Sequence, residues 1–341
     1  MVTEYVKLDP ECFDPSELER AADIIRAGGL VAFPTETVYG LGADAENPSA
    51  AEKIYAAKGR PSNNPLIVHI AKAEDAERYV YTDSRYYKIA DAFMPGPVTV
   101  IMPTKHKVAD SVSAGLDTLA VRCPSHPVAR ALIELSDKPI AAPSANTSGR
   151  PSPTSAEHVR ADLDTRIDMI IDGGECEVGL ESTIIKLAQD KVILLRPGKI
   201  TYEMLTELLG EVEIAKGVLD IPEPESKVES PGMLISHYAP KAPLYLVKGD
   251  SSKVDGYLSQ KLCEEGVFVL SEDGALTGER VLSLGSPDNR DEAAKRLFWA
   301  LREADARGAC EIYAKYPDKS GIGLALLNRM LRASAFKIIE I

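Results

Sequence analysis

Lys58 and Arg60 set two cations on either side of Gly59, at the end of a helix-like segment and ahead of the polar loop Pro61-Ser62-Asn63-Asn64. Arg122 and Arg196 close two further apolar runs, Thr118 to Arg122 and Val192 to Leu195. Ser144, Asn146, Ser152 and Ser182 bring hydroxyl or amide groups to other element ends. Arginine clamps carboxylates and phosphates in a two-pronged geometry, whereas lysine acts as a point charge. A set of this kind neutralises and orients an anion. Phosphoryl chemistry needs mainly positioning and charge neutralisation, so it suits a site without an evident nucleophile.

Other chemistries fit the residues less well. Gly40-Leu41-Gly42-Ala43-Asp44-Ala45 matches GxGxxA, but Pro34 to Tyr39 separate its glycines from the preceding strand. The dinucleotide fingerprint needs them directly after the strand and opening a helix, so Gly40 and Gly42 are read as turn residues. There is no Walker A sequence and no GxSxG elbow. The cysteines (Cys12, Cys123, Cys176, Cys263, Cys310) are far apart and odd in number, and read as reduced thiols. The histidines (His69, His106, His126, His158, His237) lack i,i+4 spacing, so no protein-held metal is expected.

The elements that must position these groups alternate. Asp14-Pro15-Ser16-Glu17 is a capping-box helix start, and Gly28-Gly29 is its stop. Leu30 to Phe33 reads as a buried strand that breaks into a Gly-punctuated loop. Asn47-Pro48 starts a helix that Gly59 ends. Leu66 to Ile70 is the next strand, with His69 inside it. Helices are expected near 72–80, 83–93 and 127–135. Strands are expected at 98–102, 118–122, 139–142, 169–172, 182–187 and 192–195, the last two forming a hairpin. Ser144 to Ser155 is a loop by composition, and its place after an apolar strand favours binding. The alternation predicts an α/β domain over residues 1–208 with a mixed sheet.

From Leu209 the pattern dissolves. Residues 209–243, with five prolines in IPEPESKVESPGMLISHYAPKAP, read as an interdomain linker. Met233, Leu234, Ile235 and Tyr238 give that linker an apolar patch suited to docking. Residues 244–341 read as a smaller Rossmann-like α/β domain, with strands at 244–247, 267–270 and 281–284 and helices at 252–264, 291–304 and 324–332.

The net charge of −13 makes general binding to nucleic acid a poor reading, because phosphate attraction dominates such affinity. A local basic pocket is still compatible with it. No apolar run approaches the length of a membrane span, and the start MVTEYVKLDPE has no signal-like segment, so a cytoplasmic enzyme is expected.

Lys58-Gly59-Arg60 with Ser144-Ala145-Asn146 resembles the KxR…SxN signature of the YrdC-like family. FPTETVYGLGADA, KGRPSNNPLIVHI, APSANTSGRPSPT and GLESTIIKL resemble it as well. SPGMLISHYAPKAP is similar to the linker of the family's two-domain branch, although Leu234-Ile235 stand where Lys-Tyr is expected. The resemblance covers essentially the whole chain. It implies a YrdC-like mixed, twisted sheet with helices and a threonylcarbamoyl-AMP synthase activity that takes L-threonine, bicarbonate or CO2, and ATP. Mg²⁺ is expected with the ATP, and separate threonylcarbamoyl-transfer proteins of tRNA modification are the expected downstream partners.

By the same resemblance, L-threonine would meet Thr35, His69, Arg122, the backbone at Ala142, and Ser182. ATP would meet Lys58, Ser62, Thr118, Ser144, Asn146, Ser152, Arg196 and Tyr238. Lys58 and Arg60 are the implied catalytic pair. The rival reading is a module that binds double-stranded RNA or tRNA without making the adenylate. Carbamoyl transfer in hydrogenase maturation is a further enzyme reading, but the chain lacks the acylphosphatase and zinc-finger segments of that type.

Overall fold

The computed structural model describes residues 2–221, 237–272 and 274–341. Met233, Leu234 and Ile235, expected to dock, lie outside the described residues. Among the described residues an eleven-stranded sheet has the spatial order Glu4–Lys7, Met169–Asp172, Val31–Phe33, Gly40–Asp44, Ile140–Ala142, Ile67–His69, Thr118–Arg122, Val98–Pro103, Thr183–Leu187, Val192–Arg196 and Glu213–Ile214. It is mixed: Ile67–His69 runs parallel to Thr118–Arg122, and Val98–Pro103 runs antiparallel to it. A second sheet has five parallel strands in the order Val281–Ser283, Val267–Ser271, Glu311–Lys315, Leu244–Lys248 and Ile338–Glu340. This is the α/β class expected, with a parallel, Rossmann-like second sheet.

Local chemistry explains the helix ends. Asp14 accepts from the Ser16 N–H, and the Glu17 carboxylate accepts from the Asp14 N–H, which completes the capping box. Asn47 caps the helix Pro48–Lys58 by accepting from Ser49 and Ala50. That helix stops at Gly59, whose φ of +62° favours glycine. The Arg60 N–H donates back to Tyr55 O (3.0 Å) and the Gly59 N–H to Ala56 O (3.3 Å). This closing pattern fixes the directions in which Lys58 and Arg60 leave the helix.

Two expectations are corrected. Gly40–Asp44 is a strand between Val31–Phe33 and Ile140–Ala142, not a turn. A Cβ at Gly42 would lie 2.7 Å from Ile140 Cγ2 and from Phe33 Cε1, so close packing on the sheet face is what glycine provides there. Beyond Leu209 the order continues rather than dissolving, because Glu213–Ile214 extends the large sheet beside Val192–Arg196. The strands Glu4–Lys7, Glu311–Lys315 and Ile338–Glu340 and the helices Ala156–Leu163 and Tyr202–Leu209 were not expected from the pattern.

Period-two alternation then sorts the sheet into two faces. Val68, Ala141, Val121, Val100 and Ile185 point into the main core. Their neighbours His69, Ala142, Arg122, Thr99 and Ile184 share the opposite face, with His69 opposite Arg122 and Thr99 opposite Arg122 in register. Near Ala142 and Ile140 that face packs on the helices Glu19–Arg26 and Pro127–Ser136, and the C-terminal unit covers the part beside Val38 and Leu180. Val38 and Leu180 beside the large sheet, and Tyr238, pack into the same core as Leu297 and Phe298 of the helix Arg290–Ala306. Burying each such side chain is worth about 1.5–3 kcal/mol.

Gly179 has a φ of +73°, and a Cβ there would collide with the Lys295 backbone. Gly179→Ala is therefore expected to cost about 1–3 kcal/mol through strain and displacement of this helix. The measurement is the urea midpoint at unchanged m-value; a midpoint equal to that of the unaltered chain would contradict the close approach.

Candidate active site

The KxR and SxN pieces form one joint. Lys58 Nζ donates to Ser144 O at 2.5 Å and to Asn146 O. The Ser148 N–H returns a bond to Lys58 O at 2.9 Å. Ser144 Oγ donates to Asn146 Oδ1 at 2.5 Å, and Asn146 Nδ2 donates to Thr147 O and Arg150 O at 2.9 and 3.0 Å. Serine and asparagine thus hold their own loop in shape, and the lysine ties that loop to the helix end. Arg60 turns the other way and donates to Asn64 O and Pro65 O at 3.3 and 3.0 Å.

Beside this joint a cavity of about 40 Å³ lies on the covered sheet face. Of the predicted residues it is lined by Thr35, Arg60, His69, Arg122, Ala142, Ser144, Arg196 and Tyr238. Lys58, Asn146, Ser152 and Ser182 stand one hydrogen bond behind that lining. Ser62 is exposed and Thr118 half-buried, and neither reaches the cavity.

On the wall formed by the strand ends, Arg122 Nη2 donates to Glu36 Oε1 at 2.7 Å and to Thr37 Oγ1 at 2.8 Å. Thr35 Oγ1 donates to Val38 O at 2.6 Å and so braces that turn. Ser182 Oγ lies 2.7 Å from Thr99 Oγ1, and Arg196 Nε donates to Ser182 O at 3.0 Å. His69 Nδ1 is 3.1 Å from Ile67 O; a carbonyl only accepts, so this nitrogen carries the proton.

Electrostatics separates the groups. Burial, reinforced by the neighbouring Arg60 charge, pushes the Lys58 ammonium well below its ordinary value. Burial lowers Arg60 and Arg196 to about 10, so both stay charged at neutral pH. Lys58 and Arg60 find backbone carbonyls here rather than carboxylates, which leaves positive charge for an anion to neutralise. Burial and the nearby Arg122 push His69 down to about 3, so its imidazole is neutral. Among the described residues no group of three or more His, Cys, Asp or Glu side chains could hold a metal ion. The two acids nearest the cavity are committed to arginines: Glu36 to Arg122, and Glu181 to Arg329 at 2.7 Å.

Sequence reasoning missed Glu36, Glu181, His237 and Arg329. Glu36 and Glu181 sit inside the motifs FPTETVYG and GLESTIIKL, so the signal was present but attached to their neighbours. Arg329 has no local signal, because its partner lies 148 residues away.

A Sua5/YciO/YrdC family model, described as telomere recombination, matches residues 23–198. A model of the threonylcarbamoyl-AMP synthase C-terminal domain matches residues 200–335. The chain belongs to the Sua5/YciO/YrdC family. A threonylcarbamoyl-AMP synthase of Pyrococcus abyssi is 44% identical over 326 residues, covering 94% of this chain and 95% of that protein. One from Bacillus subtilis is 45% identical over 335 residues, covering 96% and 95%. The crystal structure of P. abyssi Sua5 complexed with L-threonine superposes with a TM-score of 0.92 at 42% identity, over 100% of each chain. The two-domain Sua5 fold is therefore the fold of this chain.

The same burial makes a prediction about acid. His69 and His237 are held near 3 and His158 near 4, chiefly by burial, while an unfolded histidine titrates near 6.5. Between those values the unfolded chain binds protons that the folded chain refuses. Stability is full above pH 6.5 and is lost as pH falls below it. Urea midpoints should drop from pH 7.5 to 5.5 by the equivalent of about 1 kcal/mol per histidine, before carboxylates titrate. Equal midpoints at the two pH values would mean that these rings are not buried neutral.

Proposed function

We infer that this chain is a threonylcarbamoyl-AMP synthase, a nucleotidyltransferase that joins L-threonine, bicarbonate or CO2, and ATP to give threonylcarbamoyl-AMP and pyrophosphate. The observation that carries this reading is the near-full-length match to synthases of that name. The cation-lined cavity supports it, since the substrates are a carboxylate, a carbonate species and a polyphosphate.

In the first step the threonine amine attacks the carbon of CO2. An N–C bond forms as one C–O π bond opens onto oxygen, and the nitrogen gives up a proton to solvent, leaving a carbamate. Arg122, aimed by Glu36 and Thr37, clamps the threonine carboxylate. Thr35, neutral His69, the backbone at Ala142, and Ser182 complete the amino-acid side. In the second step a carbamate oxygen attacks the α-phosphorus, and the bond to the β-phosphate oxygen breaks to release pyrophosphate.

Lys58 and Arg60 meet the charge that develops on the leaving group. Arg196, Ser144, Asn146, Ser152 and Tyr238 define the nucleotide side, with Ser62 and Thr118 at its outer edge. Mg²⁺ would arrive on the triphosphate rather than in a protein cage, where it neutralises phosphate charge. The C-terminal cover keeps water from a labile mixed anhydride. The product would pass in the cytoplasm to separate proteins that transfer the threonylcarbamoyl group to tRNA adenosine. Among the described residues no helix is long and apolar enough to cross a membrane.

Lys58→Ala and Arg60→Ala are each expected to lower threonine- and bicarbonate-dependent pyrophosphate release from ATP by at least about 100-fold, the scale of losing one preorganised electrostatic donor. Omitting threonine or bicarbonate should abolish the signal of the unaltered chain. Near-normal turnover in both variants would sink the assignment of this pair.

A further inference from the structure

We propose that Arg329, on the C-terminal helix Gly323–Ala333, is a positioning residue for the nucleotide side of the site, acting through Glu181 on Ser152 and through its guanidinium face on Tyr238. The inference rests on the synthase reading and deepens it: the C-terminal unit sets the geometry of the site as well as covering it.

Arg329 is fully buried. Its Nε donates to Glu181 Oε2 at 2.7 Å, and its Nη2 lies 3.4 Å from Glu181 O. The other carboxylate oxygen, Glu181 Oε1, accepts from Ser152 Oγ. One buried carboxylate is thus held between the predicted ATP-side serine and an arginine from the other unit. Its chain neighbour Ser182 bonds Arg196, so displacement of Glu181 reaches both walls.

The arginine is itself fixed. Its Nη1 donates to Asn328 Oδ1 at 2.7 Å, and Asn328 Nδ2 donates to Val218 O at 2.5 Å. The guanidinium carbon lies 5.6 Å from the centre of the Tyr238 ring. Tyr238 is buried between that cation, Phe298 at 5.3 Å and His237 at 4.0 Å, and it has a φ of +65°. Its Oη has no hydrogen-bond partner among the described residues. The ring is therefore placed by these contacts, with its hydroxyl left for a ligand on the cavity it lines.

The energetics of Glu181 depend on Arg329. Burial pushes the carboxyl up, and the Arg329 and Arg196 charges with the Ser152 bond outweigh that and hold it below the usual range. Without Arg329 the carboxylate keeps Arg196 as its cationic neighbour and swings toward it. That move releases Ser152 from its present orientation, whereas a neutral side chain of the same shape still accepts from Ser152. Removing both charges leaves no unpaired ion, and this commonly restores a buried site. Arg329→Lys keeps the charge but loses the planar fork.

The test uses the full chain and four variants: Arg329→Met, Arg329→Lys, Glu181→Gln and the double variant E181Q/R329M. Binding of a non-hydrolysable ATP analogue is measured by calorimetry, and KM for ATP and for threonine by pyrophosphate release. Arg329→Met should weaken analogue binding and raise KM for ATP by about tenfold or more, the scale of one lost charge-assisted hydrogen bond, with KM for threonine within about twofold. Arg329→Lys should fall between, and the double variant should recover most of the loss.

A purely structural role predicts fewer active molecules with unchanged KM and affinity; that outcome in Arg329→Lys, or a double variant no better than Arg329→Met, overturns the proposal. Should Arg329→Met fail to fold, the lysine and double variants still decide it. Analogue binding by the unaltered chain without threonine-dependent pyrophosphate release would instead count against the synthase reading, leaving the Arg329 comparison readable in the binding data.

Discussion

Lys58 and Arg60 are buried cations whose partners are the carbonyl oxygens of Ser144, Asn146, Asn64 and Pro65. A neutral carbonyl satisfies the hydrogen-bonding geometry of a cation without cancelling its charge. The surrounding structure must therefore exclude water from positive charge that is only partly compensated, which proteins do at a cost. In the proposed reaction an anionic substrate supplies what is missing. Two other arginines are handled differently: Arg122 and Arg329 each have a carboxylate at 2.7 Å. Cations with neutral partners and cations aimed by a carboxylate thus lie side by side, and Arg122 is of the second kind although it lines the cavity.

The large sheet makes this possible. One face carries Val68, Val121, Val100 and Ile185 into a continuous core, which anchors the strands. The other face is then free to present His69, Arg122 and Ala142 at fixed spacings, because alternation is rigid once the first face is buried. Beside the apolar cluster of Ala142 and Ile140 on that face, the buried arginines need polar partners rather than more apolar packing. The C-terminal unit brings Arg329 to Glu181, and its ion pairs Arg302 to Asp162 and Asp305 to Arg150, each at 2.8 Å, tie it to the helix Ala156–Leu163 and the loop before it. Apolar contacts of Val38 and Leu180 with the core around Phe298 supply the area that holds the two units together.

Much of this was legible in the sequence wherever the cause is local. Asp14 and Asn47 announce helix starts, and Gly59 a stop, because caps act within a few residues. His69, Arg122 and Arg196 could be placed at or near strand ends from apolar runs alone. Gly40–Asp44 could not be read as a strand, since two glycines lower strand propensity and the reason for Gly42 is the approach of Phe33 and Ile140 from other strands. Short strands such as Glu213–Ile214 carry too little pattern to register. Glu181 looked like one acid beside a more interesting serine, and its meaning depends on an arginine that no window of sequence contains.

The KxR…SxN signature shows why spacing alone could find the site without explaining it. Read as a string, lysine, arginine, serine and asparagine suggest four side chains that all face a ligand. In the fold, Lys58 reaches the backbone oxygens of Ser144 and Asn146, and Asn146 spends its amide on Thr147 and Arg150. Two members of the signature hold the loop against the helix, while Arg60 and Ser144 line the cavity. The separation of Lys58 from Ser144 in the chain is set by the intervening strands, because Ser144 bridges to Gly40 and the strand ending at Ala142 lies between Gly40–Asp44 and Ile67–His69. A ligand that draws Lys58 off those carbonyls would loosen the loop that carries Ser144 and, further along, Ser152. Occupancy of the cation pair and the shape of the wall proposed for the nucleotide are therefore coupled through one ammonium group.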